Sequence, residues 1–88
     1  MSKKRSMLVH WNTMRGGIIE GETLIMGNKK VANVIKVGNK WHVHAGDMQL
    51  KIPNFTCTDD LAPATLAAAK ALAFNHVRKA LAAQEPAL

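Results

Sequence analysis

His42 and His44 stand two residues apart in the run Lys40-Trp41-His42-Val43-His44. On a β-strand that spacing puts both imidazoles on one face, where two nitrogens could reach one metal ion. A closed zinc site needs four ligands, usually with cysteine pairs among them. Only Cys57, His10 and His76 remain as further nitrogen or sulfur ligands, and none lies at a telling spacing. The pair therefore reads as two exposed histidines, and no metal is expected. Cys57 with a histidine would make a nucleophile and base, but no motif surrounds it. A lone small thiol two residues after Phe55 reads as packing. Asp59 and Asp60 are adjacent carboxylates at the start of a helical pattern, where capping explains them. Gly16-Gly17 lacks the spacing and the lysine of a phosphate-binding loop. The chain is expected to be non-catalytic and to carry no cofactor.

What remains is a surface, and residues 31 to 55 must position it. Two turn signals divide this stretch, Gly38-Asn39-Lys40 and Gly46-Asp47. If Gly46-Asp47 is a two-residue turn, Ala45 pairs with Met48, Val43 with Leu50 and Trp41 with Ile52, which makes one apolar face. A three-residue first loop, Gly38 to Lys40, would pair Val37 with Trp41 and Ile35 with Val43 and extend that face. A two-residue loop would set Lys36 beside Trp41, so the longer loop with a bulge is the expectation. The opposite face then carries Val34, Lys36, His42, His44, Gln49 and Lys51, with Lys29, Lys30 and Lys40 at turn tips beside it. These cationic and imidazole side chains, with Gln49, form the candidate binding surface. Trp41 belongs to the core by register. Trp11, beside His10, is either a stacking platform or a residue buried at the sheet edge.

The chain has 88 residues, enough for one domain with a modest core. That modest core leaves room for a homodimer. Nearly half of the residues are apolar, which favours folding over disorder. The formal charge of +6 suits an anionic partner, either nucleic acid or a protein with an acidic surface. One cysteine cannot make an internal disulfide and fits a reducing, cytoplasmic setting. Ser2-Lys3-Lys4-Arg5 resembles the start of a signal peptide, but His10, Asn12 and Arg15 interrupt the apolar run that such a peptide needs next. No run of about 20 apolar residues is present, so no membrane span is expected.

Along the chain, residues 1–6 read as a basic arm, 7–83 as one domain and 84–88 as a tail. Met7 to Trp11 is strand-like, Asn12 to Gly17 a loop, and Ile18 to Met26 a strand interrupted at Gly21. Gly27-Asn28-Lys29-Lys30 turns the chain into the next strand. Pro53-Asn54 is expected to end the sheet, with Phe55 turning back over the core. From Thr58 the apolar period lengthens to that of a helix. With Asp60 as N-cap the helix spans about Leu61 to Ala83, with Pro63 in its first turn. Leu66, Ala69, Ala73, Val77, Ala80 and Leu81 share one face, and Phe74 borders it. Lys70 falls inside the apolar arc and snorkels to its rim. The fold expected is α+β, an antiparallel sheet of three to five strands packed on one C-terminal helix.

Residues 35 to 77 resemble the AP2-type and integrase arm-type DNA-binding domains, in which a three-stranded sheet packs on a helix. The shared features are Lys40-Trp41-His42-Val43 after a turn, then Phe55, a polar cap and the alanine-rich run around Ala67 to Ala73. In that family the sheet face contacts DNA, so the resemblance implies contact roles for Lys36, His42, His44 and Lys51. The family's arginine- and tryptophan-rich first strand has no counterpart in this chain. The chain is also similar in build to small phage-encoded proteins, some of which block host enzymes or defence complexes. A nucleic-acid-binding module, for DNA more than RNA, is the leading expectation. A protein-interaction module inhibiting a host nucleic-acid enzyme or defence complex is the other.

Overall fold

Gly27-Asn28 and Gly38-Asn39 are the two shortest turns of the sheet, and they set its register. Gly27 has φ 68° and Gly38 φ 66°, in the left-handed region that side-chain-bearing residues avoid. Glycine first in a two-residue loop is the pattern of a II′ hairpin, whose twist matches that of the strands. The flanking pairs are Met26↔Lys29 and Val37↔Lys40. The computed structural model describes residues 9–14 and 19–84, except the Asp59 side chain. The expected basic arm, the Gly16-Gly17 loop and most of the tail lie outside these residues.

Five antiparallel strands lie in sequence order: β1 (Val9–Thr13), β2 (Gly21–Met26), β3 (Lys29–Val37), β4 (Lys40–Asp47) and β5 (Ile52–Cys57). The helix α1 (Leu66–Gln84) packs across β3, β4 and β5. The α+β architecture with one C-terminal helix is as expected. Gly21 opens β2 and does not interrupt it.

The first loop differs from expectation. It has two residues, not three, so Lys36 lies opposite Trp41 and Val34 opposite Val43. Val34 and Lys36 therefore belong to the helix side of the sheet, not to the outer face. The left-handed glycine decides the loop length. Lys36 tolerates its place because it stands near the end of the sheet. Its ammonium lies 5.9 Å from the centre of the Trp41 ring and 4.0 Å from the Glu20 carboxylate.

The second loop also differs. Gly46 and Asp47 belong to β4, and Met48 to Lys51 make the turn. The Asp47 carboxylate accepts the Leu50 N–H at 3.0 Å, and the Met48 carbonyl accepts the Lys51 N–H at 3.1 Å. This Asp-led turn replaces the expected pairs of Ala45 with Met48, Val43 with Leu50 and Trp41 with Ile52. Met48 is left 84 % exposed. Asp47 pairs with Ile52, Ala45 with Phe55 and Val43 with Cys57, so the sheet continues through Pro53 and Asn54. Proline fits there because β5 is an edge strand, with no neighbour needing its N–H. Two residues of β5 oppose Gly46, which makes a bulge. Gly46 has φ 137°, and a Cβ there would fall 2.5 Å from Asn54 Oδ1 and 3.0 Å from Asn54 Cα.

The helix starts later than expected. Asp59–Leu61 forms a 3-10 turn, and the N-cap is Thr65, whose Oγ1 accepts the Ala68 N–H at 3.2 Å. Pro63 disfavours helical backbone at Ala62 and so keeps the start beyond Asp60. The Pro63 carbonyl instead accepts the Trp41 N–H at 2.8 Å, tying this connection to β4.

Ala69, Ala73 and Val77 recur at four-residue spacing and are buried, with Leu66, Ala80 and Leu81 packed beside them. They meet Leu24, Val31, Val34, Trp41, Val43 and Ile52 from the sheet, with Leu50 and Phe55 partly buried at the margin. Trp11 is half-buried against this core. Lys70 lies 5.0 Å above its ring and 2.9 Å from Glu22, so the helix is clamped to the far strands through one ammonium.

Leu24→Ala should lower stability by about 2–5 kcal/mol. An unshifted chemical-denaturation midpoint would contradict this register. Two of the left-handed positions, Gly46 and Lys51, respond in opposite directions. Gly46→Ala should destabilise by more than about 1 kcal/mol, since a methyl meets both strain and the Asn54 backbone. Lys51, at φ 59°, is the one left-handed residue other than glycine among those described. Lys51→Gly should leave stability unchanged or raise it by up to about 1 kcal/mol in the same assay.

Candidate nucleic-acid interface

Antiparallel strands joined in sequence order sort their turns to two ends. The Gly27-Asn28 turn and the Met48–Lys51 turn share one end, whereas the Gly38-Asn39 turn lies at the other, with residues 58–65. This sorting, more than strand parity, decides which of the expected surface residues meet.

Lys29, Lys30, Gln49 and Lys51 come together at the first end. The Lys29 ammonium donates to Gln49 Oε1 and lies 3.6 Å from Asp47 Oδ2. Lys30 and Lys51 are exposed. The end of α1 closes onto this turn, with the Gln84 amide donating to the Leu50 and Lys51 carbonyls at 3.0 Å each. That contact brings Arg78 and Lys79, both exposed and within the last two turns of the helix, toward the same end. His44 lies on the outer face of β4, opposite Asn33 on one side and Thr56 on the other.

Lys36 and Lys40 go to the opposite end. Lys40 donates to the Asp60 carbonyl at 3.0 Å, and Lys36 has Glu20 and the Trp41 ring as neighbours. The expected single cationic face is thus divided. The outer face between the two ends is mixed. It carries Ile25, Asn33, Ile35, Val37, His42, His44 and Thr56, with Val37 49 % exposed and His42 half-buried. Of the contact roles that the resemblance implied, only His42 and His44 stand on the strand face away from the helix. Lys51 occupies a turn.

Asn33, Arg78 and Lys79 were not expected to contribute. Asn33 could have been found by reading Gly38-Asn39 as a two-residue turn, which puts it on the face of His44. The helix cations become neighbours only through the docking of Gln84, which no local pattern announces.

Among the described residues, no three histidine, cysteine or acidic side chains converge on a point that could hold a metal. Cys57 is half-buried and donates its S–H to the Leu61 carbonyl at 3.1 Å. His76 donates to the Pro53 carbonyl at 2.7 Å and stacks on Phe55 with ring centres 5.0 Å apart. It ties α1 to the edge strand, which is a structural role. No described helix is long and apolar enough to cross a membrane. No protein-family model, curated protein or solved structure matches the chain.

Proposed function

We propose that this chain is a non-catalytic nucleic-acid-binding module that meets the phosphate backbone with the turn end of its sheet. The observation that carries this reading is the gathering of Lys29, Lys30 and Lys51 at one end. Asp47, the last residue of β4 before the Met48–Lys51 turn, is the carboxylate beside these lysines, and Lys29 already engages it. Hairpin tips of this size suit the wide major groove of duplex DNA, whereas the major groove of A-form RNA is too narrow for side-chain readout. No Phe, Tyr or Trp side chain stands on the outer face of the described strands, which leaves single-stranded bases only the His42 and His44 imidazoles to stack on. Contacts would go mainly to backbone, so affinity should be modest and weakly dependent on sequence.

A second reading has its own observation. Val37 is exposed beside half-buried Ile35 and His42, an apolar strip that a protein partner could cover. In that reading the cationic end docks on the partner's acidic surface, as an inhibitor of a nucleic-acid enzyme would.

Two or three phosphate contacts predict a slope of about −1.8 to −2.7 for log affinity against log salt on duplex DNA. Fluorescence anisotropy with duplex DNA, single-stranded DNA and RNA measures it. Lys30→Glu combined with Lys51→Glu should abolish duplex binding with the fold intact, because both side chains are exposed. Lys36→Glu, at the far end, should leave affinity unchanged. Absence of duplex binding at about 50 mM salt would overturn the nucleic-acid reading. Equal losses from Lys36→Glu and Lys30→Glu would overturn the assignment to one end.

A further inference from the structure

An open concavity of about 170 Å³ lies on the outer face, where β3 and β4 part beyond the pair Ala32↔Ala45. Two bulges create it. In β3, Val31 is an extra residue between the pairs Leu24↔Ala32 and Ile25↔Lys30. In β5, Pro53 and Asn54 together oppose Gly46. Bulged strands bend out of the plane of the sheet, and two such bends on either side of one strand pair open a hollow between them. Ala32, Ala45 and Gly46 are among the residues that line it. Its volume is well above the roughly 10–15 Å³ that admits a single water.

Three polar side chains around this hollow can donate hydrogen bonds. Lys30 brings an ammonium, which has no acceptor capacity. Asn33 Oδ1 is occupied, accepting from the Thr23 hydroxyl at 2.9 Å, and Thr23 is itself 7 % exposed. That bond orients the amide and leaves its NH2 available to the hollow. The His44 imidazole, directly opposite Asn33, supplies a ring N–H. Among the described residues, no carboxylate lines the site. Asp47, one residue beyond Gly46, is engaged by the Leu50 N–H and Lys29.

We propose that this concavity binds a phosphate-class oxyanion, with Lys30 supplying the charge and the Asn33 amide and His44 imidazole supplying directed hydrogen bonds. The anion is either a free phosphate or a backbone phosphate of a nucleic acid. The second source rests on the function proposed above, whereas the first does not depend on it. Hydrogen bonds to a charged partner exceed neutral ones in strength, so three donors lining one hollow favour a small anion.

The test is amide chemical-shift titration of the full chain with inorganic phosphate at constant ionic strength, set beside duplex-DNA anisotropy. Saturable shifts confined to residues 30–33 and 44–46 are expected. Asn33→Asp keeps the acceptor for Thr23 but replaces the donor with a negative charge, and it should abolish saturation. Lys30→Met should weaken phosphate binding by about tenfold or more, the loss of one charge-assisted bond. Lys36→Met should change nothing. Linear, non-saturating shifts, or equal affinity in the wild type and Asn33→Asp, would overturn the site. Saturable phosphate binding without duplex binding would leave the site standing and remove the nucleic-acid reading. Duplex binding that Asn33→Asp leaves unchanged, without phosphate saturation, would do the reverse.

Discussion

The left-handed backbone at Gly27 and Gly38 governs the rest of the molecule, because it fixes two hairpin loops at two residues each. Side chains alternate along a strand, so one more residue in either loop would exchange the two faces of every strand beyond it. Leu24, Val34 and Val43 are fully buried on the helix side only in the register that these loops impose. Burying an aliphatic side chain of this size contributes about 1.5–3 kcal/mol. A slip at one turn would forfeit several such contributions at once, which outweighs the preference of a single lysine for solvent. Lys36 accordingly accepts a place on the helix side and lays its charge against Trp41 and Glu20.

The bulges then correct what strict alternation would leave wrong. With Val31 inserted, both Val31 and Ala32 are buried, and Lys30 returns to the outer face while Lys29 points to the helix side. Lys29 can therefore reach Asp47 in the neighbouring turn, and Lys30 is released to solvent. The β5 bulge is held by Gly46, whose missing side chain lets Asn54 and the Pro53 carbonyl approach. Stability and surface chemistry meet at this glycine, since it packs the edge strand from one side and lines the hollow on the other.

The broad architecture was legible in the sequence because two periods succeed one another along the chain. Alternation through residue 52 marked a one-sided sheet, and the four-residue recurrence of Ala69, Ala73 and Val77 marked the helix and its buried face. Trp41, Val43 and Ile52 were legible as core for the same reason. Loop lengths were not, because the polar–apolar pattern of Lys36 and Trp41 argued against a turn that glycine geometry favoured. Local turn chemistry prevailed over amphipathic neatness, and Gly-Asn was the available sign. The helix start was misplaced because Asp60 is a good cap in isolation, whereas Pro63 acts on the residue before it and passes the role to Thr65. The binding surface was half legible. Lysines could be assigned to turns by inspection, but which turns share an end depends on strand order, and strand order is not local information.

The gathering of cations at one end raises a question of repulsion, which the structure answers with partial charges. The carbonyl end of α1 carries the negative pole of the helix and closes against the Met48–Lys51 turn through Gln84. Asp47 balances Lys29, and Asn75 Oδ1 accepts from Arg78 at 3.3 Å. Lys30 and Lys51 have no such full countercharge among the described residues. Dipoles and one carboxylate are enough to hold the turns together, because their effect is short-ranged and falls off within a helical turn. The net charge of Lys30, Lys51 and Lys79 reaches farther, over about 10 Å at moderate salt. A ligand approaching this end therefore meets a positive field that the internal contacts have not cancelled.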